Sequence, residues 1–594
     1  MTRYFLTATL LCILLSACLG PLDFSDYHSP QRVDDALTKL NNDYPNLTKI
    51  VTIGTTVEGR PIKALKISSN PNVNDPSKGD VVFVGCHHAR EWMSVEVPLY
   101  NAAHLLSDYN TNADVKADID HTQIWIIPVL NVDGFVFTQT QANRYWRKNR
   151  RNNGDGTFGV DLNRNYSFQW ALPGVSGSPL TSDYTYYGPS AFSEPETVAI
   201  RDFMLGLTNL KAFFTYHSFG EWHMKPWSYT YSDAPGYPTL HSIVTRDIAR
   251  IAAVHGVTYK EVFTLYNSSG EATDYWWSQK RIAAHTTELR PEYDGGTLDG
   301  FSPSKTEIIP TCEENYAATK AIIHDAALPR VWIRDNTTDT GGEPSSGYPW
   351  ESPDIWTVPA ILNQNQTVDL HIHINNATGG TVHNVTVDAY YTDPRITLEF
   401  PSPTAVFIGT TTVNVPPGGK DVTMPWTTPV GPNSWGELHW CVGAVVKQDD
   451  DMPLTTYVRR SSNIACHNFN TTTIVNGSLL TVAATNFLNI AAELQFDVVH
   501  EGIPPDWRFE IPRVEELQRQ DSLLPTTVRK ARILNSRGVI LEPGQTVTIP
   551  IKVYFEKGTE KEVAVRIRGN LIPLVAGKRI SEGNGYTYQV IAKK

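Results

Sequence analysis

Two textures divide the chain, and together they constrain its fold more than any single motif. From Ser29 to Leu328, apolar runs such as "VTIGTTVEGRPIKALKIS", "DVVFVGC", "TQIWIIPVL" and "LKAFFTYHS" alternate with segments of helical spacing. Those include "SPQRVDDALTKLNNDY", "SVEVPLYNAAHLLSDY", "SEPETVAIRDFMLGL" and "YPTLHSIVTRDIARIAAVHG". Valine-rich strands alternating with helices predict an α/β domain with a mixed, largely parallel sheet flanked by helices. The run Ser193 to Glu196, "SEPE", has the residues of a capping box and predicts a helix start. After a Gly-, Pro- and Ser-rich connection, "RDNTTDTGGEPSSGYPWESPD", the period falls to two. Val368, Leu370, Ile372 and Ile374 alternate with polar residues, as do Val547, Ile549, Ile551, Val553 and Phe555. One apolar and one wet face is the pattern of antiparallel sheets, so all-β structure is expected here.

These textures divide the chain into an α/β domain at 18–328, a linker at 329–355, and β-sandwiches at 356–470 and 471–594. The segments "HWCVGAVV" and "SNIACHNF" resemble an immunoglobulin-like accessory domain of exported bacterial proteins, and both sandwiches are read as immunoglobulin-like. Cys441 and Cys466 are the pair to consider for a disulfide, although their spacing requires none. The composition, 41% hydrophobic and 19% charged over 594 residues, is globular. A net charge of −12 argues against nucleic-acid binding.

The N-terminus, "MTRYFLTATLLCILLSAC", sets one arginine before an apolar stretch too short to span a bilayer comfortably. Its "LSAC" resembles the lipobox of bacterial lipoprotein signal peptides. That resemblance implies a signal peptide at 1–17 and lipid on Cys18. It further implies an exported lipoprotein tethered to a membrane of the cell envelope, Leu19 favouring the outer one.

The chemistry concentrates at strand ends. "GCHHAREW" closes an apolar strand and opens a helix, so a His and a Glu at this corner can turn toward one point. Zinc hydrolases commonly take two ligands from a short motif and a third from far away, leaving a position for water. His217, after "LKAFFTY", is the candidate third ligand, because strand ends on one edge of an open α/β sheet converge on a crevice. A lone histidine after an apolar strand is more often structural. On the residues alone, the partner of Glu91 is either His87 or His88.

Six segments in order, "HHAREW", "NRYWRKNR", "GVDLNRNY", "YHSF", "TLYNSSGEATDY" and "HTTELRP", resemble the zinc carboxypeptidases of the carboxypeptidase A family. The resemblance runs from about Tyr27 to Ala327. It implies one zinc per chain, bound by His88, Glu91 and His217, with His87 a mere neighbour. Glu288 then matches the general base, Arg147 the cation that stabilises the oxyanion, and Asp161 a carboxylate that orients a ligating histidine. Asn163 and Arg164 match a clamp on the substrate's terminal carboxylate, and Arg90 an additional cation. Tyr266 matches a phenol that closes over the substrate. Thr273 and Ser228 match positions in the specificity pocket, with Met224, Glu261 and Leu265 as further neighbours. Thr273 is neither the apolar residue nor the Asp that the family places at the pocket base, so a neutral or aromatic C-terminal residue is expected. The implied substrates are peptide or protein C-termini, shortened one residue at a time. No N-terminal activation segment is expected, unlike the family's secreted digestive members.

Two other readings compete. A metallopeptidase trimming cell-wall peptides would meet the same free carboxylates, and the sequence offers no discriminator. A catalytically silent binding or adhesion lipoprotein would be free to lose His88, Glu91, His217 or Glu288, yet all are present.

Overall fold

The computed structural model describes residues 22–470 apart from short stretches, the longest being 340–350 and 431–438, and beyond 470 the backbone of the strands. Cys18 and the rest of residues 1–21 lie outside the described residues. The chain forms two compact units, Met1–Leu328 and Pro329–Lys594.

The first unit has strands β1 (Thr48–Thr55), β2 (Pro61–Ile67), β3 (Gly79–Val84), β4 (Thr122–Ile127), β5 (Leu210–Gly220), β6 (Trp222–Met224), β7 (Lys260–Val262) and β8 (Ala283–Glu292). They join in the order β1-β2-β4-β3-β5-β8-β6-β7. The central strands β4, β3, β5 and β8 are parallel. At one side β2 runs antiparallel to β4 and β1 to β2; at the other, β6 runs antiparallel to β8. Every residue of β3, β4 and β5 is buried, so these strands are largely apolar on both faces rather than alternating, with Asp80, Gln123 and Lys211 near their starts. The helices are α1 (Pro30–Asp43), α2 (Met93–Asp108), α3 (Ala113–His121), α4 (Val132–Phe137), α5 (Pro195–Leu205), α6 (Tyr237–His255), α7 (Ala272–Lys280) and α8 (Ile308–Ala326). Helix α1 shows the local logic. Ser29 caps it by accepting the Arg32 N–H, Pro30 opens it, and Val33, Ala36, Leu37 and Leu40 form its buried stripe.

Helix α5 departs from the expected capping box. Glu194 is the N-cap, and the Ser193 hydroxyl donates to the Glu194 carboxylate at 2.6 Å. Glu196 turns inward, where it accepts the Val57 N–H at 3.1 Å and the Asn149 amide at 3.2 Å. Ser193 is taken up by the adjacent Glu194 and by the Asn165 amide at 3.0 Å, and Glu196 by the distant Val57 and Asn149, so neither closes the local motif.

In the second unit, one four-stranded sheet contains Val331–Trp332, Ile355–Val358, Thr367–Asn376 and Lys420–Thr427. Another contains Val382–Thr392, Val406–Val415, His439–Lys447 and Ile464–Asn470. Val368, Leu370, Ile372 and Ile374 share a buried core with Val385, Val387 and Ala389. Within 329–355, read from sequence as a linker, Val331 and Ile333 join that core, and Arg334 pairs with Asp354. The flanking Gly and Pro hide that short apolar stretch from a composition-based reading. Cys441 and Cys466 are buried free thiols on neighbouring strands, but out of register: Cys441 faces Asn468, and Cys466 faces Gly443. Beyond residue 470 lie a six-stranded and a three-stranded sheet. No helix among the described residues is long and apolar enough to cross a membrane.

Candidate active site

The site forms where β3, β5 and β8 end side by side. Gly85, just after β3, has no room for a side chain, since a Cβ would lie 2.1 Å from the Ser94 carbonyl oxygen. Cys86 follows with a φ of 55°, and the next two histidines go to different partners. His87 is bound within the core, Nδ1 at 2.9 Å from Thr215 Oγ1 and Nε2 at 3.0 Å from Tyr166 Oη. His88 Nδ1 lies 2.8 Å from Glu91 Oε1 and 3.0 Å from His217 Nδ1. Glu91 Oε2 is also 3.0 Å from His217 Nδ1. All three side chains are buried.

This cluster fits a metal ion. Two ring nitrogens 3.0 Å apart on one carboxylate would set lone pairs or protons against each other. A divalent cation accepting one lone pair from each group removes that conflict, and two imidazoles with a carboxylate suit zinc at bond lengths of about 2.0–2.2 Å. The ring of His88 is steered from behind: its Nε2 lies 3.1 Å from Asp161 Oδ1, which leaves Nδ1 facing the cluster. Arg147 donates to Asp161 Oδ2 through Nε at 3.0 Å and Nη2 at 2.9 Å. Burial opposes charge on Asp161, but the Arg147 guanidinium and His88 outweigh it and hold the carboxyl well below the usual range. Arg147 Nη1 reaches to 3.8 Å from Glu91 Oε1. His217 is oriented through Nε2 by Thr215 Oγ1 at 3.2 Å.

Glu288 stands opposite His217 in the pairing of β5 with β8. Its Oε2 is buried and has no hydrogen-bond partner among the described residues. Burial, then the neighbouring Glu91, push its carboxyl up to about 8.

Asn163 and Arg164 sit in the short turn Leu162–Arg164, which Asp161 caps by accepting the Asn163 N–H at 3.0 Å. Arg164 Nη1 donates to the Asn163 carbonyl at 2.7 Å and to Glu271 Oε1 at 2.9 Å. Its guanidinium is 6.0 Å from the ring of Tyr266, which is 47% exposed. Thr273 is buried on α7, whose Ala272 N–H donates to Asn163 Oδ1 at 3.0 Å, and the N–H of the buried Ser228 donates to Asp274 of the same helix at 2.8 Å. Arg90 lies over the Phe301 ring at 3.9 Å. Glu261 is occupied by Lys225 and by His241, Met224 is half-buried on β6, and Leu265 lies outside the described residues.

Two neighbours escaped the sequence reading. Thr215 bridges His87 and His217, and alternation along β5 could have placed it on their side. Glu271 reaches Arg164 across 107 residues, and no local spacing signals that.

A mixed α/β sheet carrying a buried His–Glu–His cluster, with a further carboxylate beside it, defines a metallohydrolase. Residues 33–318 match the zinc carboxypeptidase family. The metallocarboxypeptidase A of Trichophyton equinum is 36% identical over 307 residues, covering 50% of this chain and 71% of its own. Carboxypeptidase B of Astacus astacus is 33% identical over 310 residues, covering 51% of this chain and 97% of its own. Carboxypeptidase A1 of Mus musculus is 33% identical over 306 residues, covering 51% and 70%. The chain belongs to the zinc carboxypeptidase family, hydrolases of peptide bonds that act at peptide C-termini and use a catalytic zinc.

Proposed function

We propose that this enzyme removes single residues from peptide C-termini, with His88, Glu91 and His217 holding the catalytic zinc and Glu288 as general base. The observation that carries the reading is the convergence of those three ligand atoms beside a carboxylate that keeps an unpartnered oxygen among the described residues. Zinc, when bound, lowers the pKa of water and polarises the scissile carbonyl. Glu288 takes the proton of the attacking water and passes it to the leaving amine. Arg147, held in place by Asp161, stabilises the oxyanion, and because both are buried the interaction is little screened.

Asn163 and Arg164 grip the substrate's terminal carboxylate, Arg90 adds positive charge, and Tyr266 closes over the bound residue. An enzyme cutting inside chains needs no such clamp, which favours exopeptidase action. Thr273 and Ser228 line the pocket for the departing side chain, and a neutral or aromatic residue is preferred there. "LSAC" supports export and lipidation of Cys18, and Leu19 after it favours the outer membrane. The all-β region is read as two immunoglobulin-like sandwiches, 356–470 and 471–594.

The test is a panel of short peptides differing only in the last residue, with and without a chelator. Stepwise loss of one residue, fastest for neutral or aromatic ends, abolished by chelation and restored by zinc, is expected. Cleavage within the peptide, or hydrolysis that survives chelation, would overturn the reading.

A further inference from the structure

A second group of ligand-type side chains lies on the same sheet, away from the cluster at the strand ends. His223 comes from β6, His285 from β8 and Asp247 from α6, and their ligand atoms lie within 4.8 Å of one another. All three are buried, at 1%, 0% and 0% exposure. Among the described residues, His223 Nε2, Asp247 Oδ2 and both ring nitrogens of His285 have no hydrogen-bond partner. Four such atoms in one buried place are costly, because each polar group buried without a partner forfeits roughly 1–3 kcal/mol.

We propose that His223, Asp247 and His285 form a second, structural zinc site. The remaining contacts turn the free atoms of His223 and Asp247 toward each other. Thr287 Oγ1 lies 3.2 Å from His223 Nδ1, which leaves Nε2 to face Asp247 Oδ2 at 3.9 Å. Arg246 holds the other oxygen of Asp247 through Nε at 3.1 Å and Nη2 at 3.0 Å. A ring and a carboxylate each fixed from behind, with one donor atom left inward, is how outer partners orient metal ligands. Burial lowers His285 well below the usual imidazole range and His223 to about 3, so both rings are neutral, the form that donates a lone pair; the same burial raises Asp247 to about 7, which a bound cation would reverse. Two bonds of about 2.1 Å span at most about 4.2 Å, so small side-chain rotations bring the three atoms into range. One ion would take three of the four unpartnered atoms, His223 Nε2, Asp247 Oδ2 and one ring nitrogen of His285. Being wholly buried, the site has no access for a peptide and ties the short strand β6 and helix α6 to β8. It does not depend on the reaction proposed above.

The test is zinc stoichiometry in the full-length protein, stripped with a chelator, reloaded with zinc and freed of excess. Two zinc ions are expected in the wild type, one in His217→Ala and one in His285→Leu. Anomalous scattering at the zinc edge should place the second ion between His223 and His285. One ion in the wild type with none in His217→Ala would overturn the proposal, and so would two ions retained in His285→Leu. If His285→Leu fails to fold, His223→Gln replaces it, and the wild-type and His217→Ala counts still decide.

Discussion

At Glu288, the burial that makes charge costly is also what suits the group to accept a proton, while a divalent cation beside it acts in the opposite direction. Glu288→Gln keeps the shape and the zinc ligands but removes the base. Turnover is expected to fall by about 10²–10⁴ while zinc content is unchanged, as measured by kcat and metal analysis on the same preparation. Near-normal turnover in zinc-loaded protein would mean that another group takes the proton. The sequence made Glu288, His88 and His217 legible only as an ordered set, since each sits in a short motif that is weak alone. The choice between His87 and His88 needed the family pattern; the structure gives its physical reason in the hydrogen bonds of His87 to Thr215 and Tyr166. Glu271 was not legible, because its bond to Arg164 depends on how two distant loops meet.

At the scale of elements, strands and helices are legible wherever burial dictates the pattern, and illegible where a distant partner intervenes. Helix α5 is the clear case. Burial raises Glu196 from 4.5 to about 7, so the folded state holds a proton that the unfolded chain releases near 4.5. The contribution from this protonation is fully present below pH 4.5 and is lost as the pH rises through about 7. Glu196→Gln removes the titration. Between pH 4.5 and 7 the wild type is therefore expected to lose roughly 1–3 kcal/mol relative to the variant, at about 1.4 kcal/mol for each pH step of one. Denaturant unfolding of both proteins across that range is the check, and parallel pH profiles would show that Glu196 does not titrate in this way. The strand at Val331–Trp332 makes the complementary point, as two residues between turn formers carry too short a pattern to be read until Asn375 and Asn376 are seen to pair with them.

For the whole molecule, the sequence showed two textures, and the structure resolves into two compact units. The His223, Asp247 and His285 group was invisible in the sequence because its members come from three segments that share no motif. Tethering belongs to this scale too. If lipid on Cys18 holds the protein, Cys18→Ser should move it from the membrane to the soluble fraction with peptidase activity intact, and a variant that still pellets after a high-salt wash would exclude that tether. The central claim, that a free carboxylate at the end of a peptide is what this enzyme grips, is tested most directly by one pair of substrates. A good peptide and its C-terminal amide differ only in the charge proposed to lie on Asn163 and Arg164. The amide is expected to lose at least about a hundredfold in kcat/KM, about 2.7 kcal/mol, as befits a charged hydrogen-bond network deprived of one partner. Equal cleavage of the acid and the amide would contradict carboxypeptidase action by this site.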